Sequence, residues 1–225
     1  MNIKAILTDI EGTTTDIDFV HRVLFPYAYD HLADYLRAHA QDRAVQAILT
    51  QARDELHDPE ADLETLIGAF RGWIEQDLKL TPLKALQGLI WVQGYQQGDF
   101  RGHLYEDAHR LLQQWHRQGI DLYVFSSGSV KAQQLIFGYS EYGDLTPLFQ
   151  GYFDTTTGPK REAASYRAIV ARIGCDADQI LFLSDIVQEL DAARQAGMHT
   201  RLVARAEPPL AATHELVTRF DDISL

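Results

Sequence analysis

"ILTDIEGTTTD" (Ile6–Asp16) decides how the rest of the chain is read. The apolar run Ile3–Leu7 alternates little, as a strand buried on both faces of a parallel sheet does. Where it ends, Asp9 and Glu11 stand one residue apart, and Gly12 and three threonines follow. Two charges beside a small polar turn need a reason. A carboxylate pair at a strand end often just solvates a turn or caps a helix, so the remaining strand ends have to be found.

Downstream the texture changes. From about Phe19 to Gln97 the apolar positions Leu32, Leu36, Val45, Ile48, Leu49, Leu56, Leu63, Leu66, Ile67, Phe70, Trp73 and Ile74 recur at spacings of three and four, which predicts helices and no strand. Pro59 and Pro82 punctuate this stretch near predicted helix starts. After "QGDFRGHLYED" (Gln97–Asp107) strands and helices alternate. A helix near Ala108–Arg117 leads to "DLYVFSSGS" (Asp121–Ser129), a strand ending in small polar residues, and a helix starts at about Val130. A short strand within "GYFDTTTG" (Gly151–Gly158), a helix near Glu162–Ile173, the strand "QILFLSD" (Gln179–Asp185), a helix Val187–Gln195 and the strand "HTRLVA" (His199–Ala204) follow. "AEPPLAA" (206–212) reads as a surface loop. The pattern predicts an α/β fold: a Rossmann-like parallel sheet with helices on both faces, interrupted after its first strand by an all-helical insertion. The expected core is residues 1–18 and 101–225, and the expected insertion is 19–100.

The bulk properties bound the function. The chain has 225 residues, 46% of them apolar and 23% charged, with a net charge of −12. So acidic a surface argues against nucleic acid or an anionic membrane as partner. It also requires a local cation wherever an anionic substrate binds. The single cysteine, Cys175, forms no intrachain disulfide, and a reducing, cytoplasmic setting is expected. No signal peptide is expected, and no apolar run is long enough for a membrane span. With no heptad pattern and no long exposed apolar strand, a monomer is expected.

In an open parallel sheet, ligands bind outside the carboxyl ends of the strands. Asp9 and Glu11 follow the first strand, Ser126, Ser127 and Gly128 the second, Lys160 the short third, and Asp185 the fourth. These groups would converge on one edge. Asp9, Asp185 and a backbone carbonyl near residue 11 offer hard oxygen ligands suited to Mg²⁺. Ser126 and the amides of Ser127 and Gly128 suit phosphate oxygens near a helix N-terminus. Lys160 adds a point charge. With phosphate so held, one carboxylate attacks phosphorus and the other shuttles the proton.

"DIEGT" (Asp9–Thr13), "FSSGS" (Phe125–Ser129), Lys160 and "LSD" (Leu183–Asp185) resemble the signature elements of the haloacid-dehalogenase-like phosphotransferases. That family usually has Asp where Glu11 stands. The departure, together with "DIEGTTTDIDFVHRVLFPYA" (Asp9–Ala28), "LKALQGLIW" (Leu83–Trp91) and "SSGSVKAQQLIFG" (Ser126–Gly138), resembles the enolase-phosphatase (acireductone synthase) family of methionine salvage. The resemblance implies a Rossmann-like core with a helical cap, one Mg²⁺ per chain, and enolisation then dephosphorylation of a phosphorylated diketone. It implies Asp9 as nucleophile and metal ligand, and Glu11 as acid/base and metal-site partner. Ser126, Ser127 and Lys160 become substrate contacts, and Asp185 the remaining metal ligand. Glu189 and Asp191 stand outside this assignment.

Other groups attract plainer readings. Trp91, among Leu83, Leu86, Leu89 and Ile90, reads first as packing, with Lys84, Gln87 and Trp91 kept as pocket candidates. Phe19, Val20, Leu24 and Trp91 are apolar candidates for a methylthio tail. Cys175 reads as a packed thiol, and the nine histidines show no paired metal spacing. Two rivals remain: a plain sugar-phosphate phosphatase or a dehalogenase on the same fold, and a phospho-accepting receiver module. The receiver leaves the long helical insertion unexplained.

Overall fold

The computed structural model describes residues 2–205 and 213–225; the surface loop read at 206–212 lies outside the described residues. The chain forms two compact units, Met1–Ile17 with Arg101–Leu225, and Asp18–Phe100. The first begins with strand β1 (Ala5–Thr8), and a single turn, α1 (Ile17–Phe19), marks the junction.

The second unit is helical throughout its described length. A π-helical turn, Val20–Leu24, runs into α2 (Phe25–His39), followed by α3 (Arg43–Leu56), α4 (Leu63–Glu75) and α5 (Thr81–Gln97). The helix starts are written locally. Asp62 accepts the Thr65 N–H at 2.8 Å as the N-cap of α4, and Pro82 occupies the first turn of α5, where its missing N–H costs nothing. Apolar stripes at helical spacing meet in one core. Leu32 and Leu36 of α2, Ile48 and Leu49 of α3, Leu66 and Phe70 of α4, and Leu86 and Ile90 of α5 are buried together.

The first unit returns with α6 (Glu106–Arg117), β2 (Asp121–Phe125), α7 (Val130–Gly138), β3 (Phe149–Phe153), α8 (Ala163–Ile173), β4 (Ile180–Ser184), α9 (Val187–Gln195), β5 (His199–Val203) and β6 (Leu216–Val217). The strands make one parallel sheet in the order β3-β2-β1-β4-β5-β6. β1 lies in the interior, with Ala5 level with Asp121 on one side and Ile180 on the other. All four of its residues are buried, which accounts for the unbroken apolar run. Ala5 and Leu7 share a cluster with Phe125, Phe153, Tyr166, Ile169, Phe182 and Leu190, burying the inner faces of α8 and α9. The chain leaves β1 for β2 on one side and later supplies β4 on the other. The crevice at the carboxyl ends of β1 and β4 is therefore the topological switch point of the sheet, where such folds bind ligands. β6, two residues long, was not expected from the sequence; so short a strand carries no readable alternation.

Phe70 is fully buried and meets the Trp73 ring edge-on at 5.1 Å. Truncating such a ring costs about 3–5 kcal/mol, because the cavity closes only partly. Phe70→Ala is therefore expected to move the urea midpoint of the helical unit sharply down, read through tryptophan fluorescence. An unchanged midpoint would mean that this core is not what holds the four helices together.

Candidate active site

The turn after β1 is built on one carbonyl. The N–H groups of Thr13, Thr14 and Thr15 all point to Ile10 O, at 3.1, 2.9 and 2.9 Å, and Gly12 N–H donates to Thr15 O at 2.8 Å. Gly12 has φ +74°, and a Cβ there would lie 2.4 Å from Asp185 Oδ2. The glycine thus serves the turn and makes room for the carboxylate arriving from β4. The three threonines are buried, and the Thr13 hydroxyl accepts the Asp185 N–H at 3.1 Å, tying the end of β4 to the turn.

Asp9 is buried immediately beyond β1. Its Oδ1 accepts the Ile10 N–H at 2.8 Å and lies 2.7 Å from Lys160 Nζ. Lys160 Nζ also lies 2.7 Å from Glu189 Oε2, and that oxygen accepts the Ser184 hydroxyl at 3.0 Å. Lys160 reaches this position from the loop before α8. The Tyr166 hydroxyl donates to Lys160 O at 2.8 Å, and the Ser165 hydroxyl to Pro159 O at 2.7 Å. On the other side, Ser126 Oγ donates to Glu11 Oε2 at 3.1 Å and accepts the Gly128 N–H at 3.0 Å. Ser127 is exposed just beyond.

Asp9, Glu11, Ser126, Lys160 and Asp185 thus meet at one end of the sheet, with Ser127 at its margin. Glu189, set aside in the sequence reading, belongs with them. A usable signal was present: it lies in the first turn of α9, four residues after Asp185, where a side chain turns back toward the strand end. Asp191 faces elsewhere, pairing with Arg194 at 2.7 Å and His214 at 3.1 Å. Within the helical unit, Trp91 spends its indole N–H on Leu24 O at 2.8 Å and stacks on Phe25. Phe19, Leu24 and Gln87 are buried, Val20 is half-buried and Lys84 is exposed.

The charges explain one another. Burial alone would push the Lys160 ammonium toward its neutral form, but Asp9 and Glu189 more than offset it, and its pKa rises. Burial, then the Asp9 charge, raises Glu11. The same two causes take Asp185 up to about 6 and Glu189 up to about 7. One lysine therefore does not satisfy this set of carboxylates.

Residues 3–197 match the haloacid dehalogenase-like hydrolase family. The chain belongs to that family. It is 59% identical to the enolase-phosphatase E1 of Serratia proteamaculans over 99% of this chain and 97% of that protein. It is 57% identical to the enolase-phosphatase E1 of Pseudomonas aeruginosa, over 99% of each chain. The crystal structure of the UTR4 protein of Saccharomyces cerevisiae superposes with a TM-score of 0.84 at 34% identity, covering 99% of this chain and 100% of that one. Membership removes the receiver-module reading, and the two bacterial relatives at 57–59% identity are both named as phosphatases.

Phosphatases of this hydrolase family generally use Mg²⁺. The residues present fit that ion. Asp185 Oδ1 is buried with no hydrogen-bond partner, an arrangement that normally costs stability and asks for a ligand. Gly12 opens the space beside the same carboxylate. Among the described residues no three or more His, Cys, Asp or Glu side chains form a ready metal cage. Mg²⁺ takes one or two carboxylates and completes its shell with carbonyl, water and phosphate oxygens.

In this hydrolase the raised carboxyls favour the fold in their protonated form. Their contribution is complete below the ordinary values of 3.8 and 4.5 and is lost as pH rises through about 6 for Asp185 and about 7 for Glu189. The melting temperature in chelator is expected to fall across that window. Added Mg²⁺ should raise it more above the window than below it. Asp185→Asn should flatten the lower part of the fall in scanning calorimetry; an equally steep fall in the variant would refute the assignment.

Proposed function

We propose that this chain is a bifunctional, Mg²⁺-dependent enolase-phosphatase of methionine salvage. It converts 2,3-diketo-5-methylthiopentyl 1-phosphate to the acireductone 1,2-dihydroxy-3-keto-5-methylthiopentene and phosphate, by enolisation and then dephosphorylation. The observation that carries the reading is Glu11. It replaces the aspartate usual in the family, is held by Ser126, and has a carboxyl shifted toward its protonated form beside Asp9. Full-length likeness to proteins named enolase-phosphatase E1 supports the same substrate.

The reading gives each group a task. Asp9 is already oriented through Oδ1 by the Ile10 amide and Lys160, and Oδ2, which has only a long 3.5 Å contact from the Ser184 hydroxyl, attacks phosphorus. The P–O bond to the sugar-like carbon chain breaks as Glu11 delivers its proton to the leaving oxygen. Glu11, now ionised, takes a proton from water, and the resulting hydroxide displaces Asp9 from the phosphoryl group, regenerating the free carboxylate. Lys160 stays cationic throughout and has a third N–H for a phosphate oxygen. Ser126 holds Glu11 in line, and Ser127 with the neighbouring amides contacts the substrate. Asp9, the backbone carbonyl of Glu11 and Asp185 would hold one Mg²⁺. When bound, that ion polarises phosphoryl and carbonyl oxygens and neutralises developing charge. By the same reading the helical unit is the family's cap. The enzyme is a cytoplasmic monomer whose partner is a small phosphorylated molecule, not nucleic acid or membrane.

Asp9→Asn separates the two steps. The variant keeps an oxygen toward the cation but loses the nucleophile. Phosphate release is expected to stop, while the substrate's acidic proton still exchanges with deuterated solvent at saturating Mg²⁺. Metal binding is verified first. If metal is bound and no exchange rises above background, the two-step reading fails and a plain phosphatase remains.

Glu11→Gln should slow phosphate release by about 10²-fold or more, the size of an acid/base contribution, with little change in metal affinity. Parental turnover in that variant would return Glu11 to a structural role.

A further inference from the structure

We infer that Arg205, just beyond β5, is a positioning residue that sets the turn carrying Asp9 and Glu11 against Asp185. Its guanidinium reaches two partners at once. Nε donates to Thr13 O at 3.0 Å, and Nη1 pairs with Asp107 Oδ2 at 2.7 Å. The cation lies over the Tyr105 ring at 4.2 Å and the Phe220 ring at 5.0 Å. Only 10% of the Arg205 side chain and 6% of Asp107 are exposed. Asp107 Oδ2 also accepts the Phe220 N–H at 2.7 Å, and the Tyr105 N–H donates to Thr14 O at 2.9 Å. Ring, carboxylate and backbone thus fix the guanidinium plane.

The link to chemistry runs through Thr13. Its carbonyl is held by Arg205, and its hydroxyl receives the Asp185 amide. One residue therefore joins the end of β1, the end of β4 and the segment beyond β5. Arg205 touches no reacting atom. It acts by holding the separation between the oxygens that Asp9 and Asp185 present. A planar fork is needed, since a lysine ammonium can pair with Asp107 but has no second arm at the Nε position for the Thr13 carbonyl. Partners of this kind behind a metal ligand are worth about 10–100-fold in metal affinity or rate.

The inference rests on the Mg²⁺ reading above, and its test separates the two. Mn²⁺ binding is followed by loss of the free-ion electron paramagnetic resonance signal, on protein without substrate. Arg205→Lys, shown folded by circular dichroism, is expected to bind Mn²⁺ about tenfold more weakly. Its kcat should be lower at saturating metal, with KM nearly unchanged. Asp107→Asn keeps an acceptor for Phe220 N–H and leaves the Thr13 contact in place. It should lower the melting temperature with Mn²⁺ affinity within about twofold of the parent, well short of the loss expected for a metal-positioning partner. If Arg205→Lys does not fold, Arg205→Gln takes its place with the same two readouts. Parental Mn²⁺ affinity and kcat in the folded Arg205 variant would overturn the inference. So would an equal loss in Asp107→Asn, or the failure of both Arg205 variants to fold, which would make the residue purely structural. Failure of the parent protein itself to bind Mn²⁺ would instead strike the metal reading.

Discussion

The Lys160 ammonium between Asp9 and Glu189 is the interaction on which the site depends. A buried charge costs several kcal/mol in desolvation unless it is closely paired, so its presence constrains its surroundings. Both carboxylates must stand within reach of it, which fixes the end of β1 and the first turn of α9. The loop from β3 must also come inward, and Tyr166 and Ser165 hold its carbonyls so that it does. Tyr166 in turn packs between Phe125 and Phe182, at the core of the sheet. Charge, loop and core therefore stand together.

The same economy explains a glutamate at position 11. The turn is closed on Ile10 O by three threonine amides, which leaves its outer side to one residue. A side chain one methylene longer than aspartate meets Ser126 at the neighbouring strand end, and the hydroxyl is held by Gly128 N–H. For the acid/base role proposed for Glu11, a tie to a second strand orients the carboxyl better than a free position on a turn would.

Much of this was legible in the sequence, and for identifiable reasons. Parallel strands buried on both faces announce themselves as apolar runs, so "AILT" and "ILFLS" stood out, and the polar residues just after them were the ones brought together. Helical periodicity alone described the stretch carrying Leu32, Phe70 and Ile90. Three things went unread. Glu189 comes into the site from a helix turn, and its use depends on where Lys160 points. Trp91 read first as packing, which holds, but its N–H answers a carbonyl in a π-helical turn that has no sequence period of its own. Arg205 is a lone cation after a strand, and only folding brings Thr13 and Asp107 to it.

The interior position of β1 has a consequence for how the molecule is made. Both neighbours of Ala5, Asp121 and Ile180, lie on the order of a hundred positions or more downstream. During synthesis this strand precedes every partner that will cover it, while the helices between have contacts close by in the chain. Such distant parallel pairings close late, because the entropy of the long intervening loop must be met first. The residues that end up most completely enclosed are thus translated early and sealed late. In that interval their bare edges must be kept from pairing with other chains.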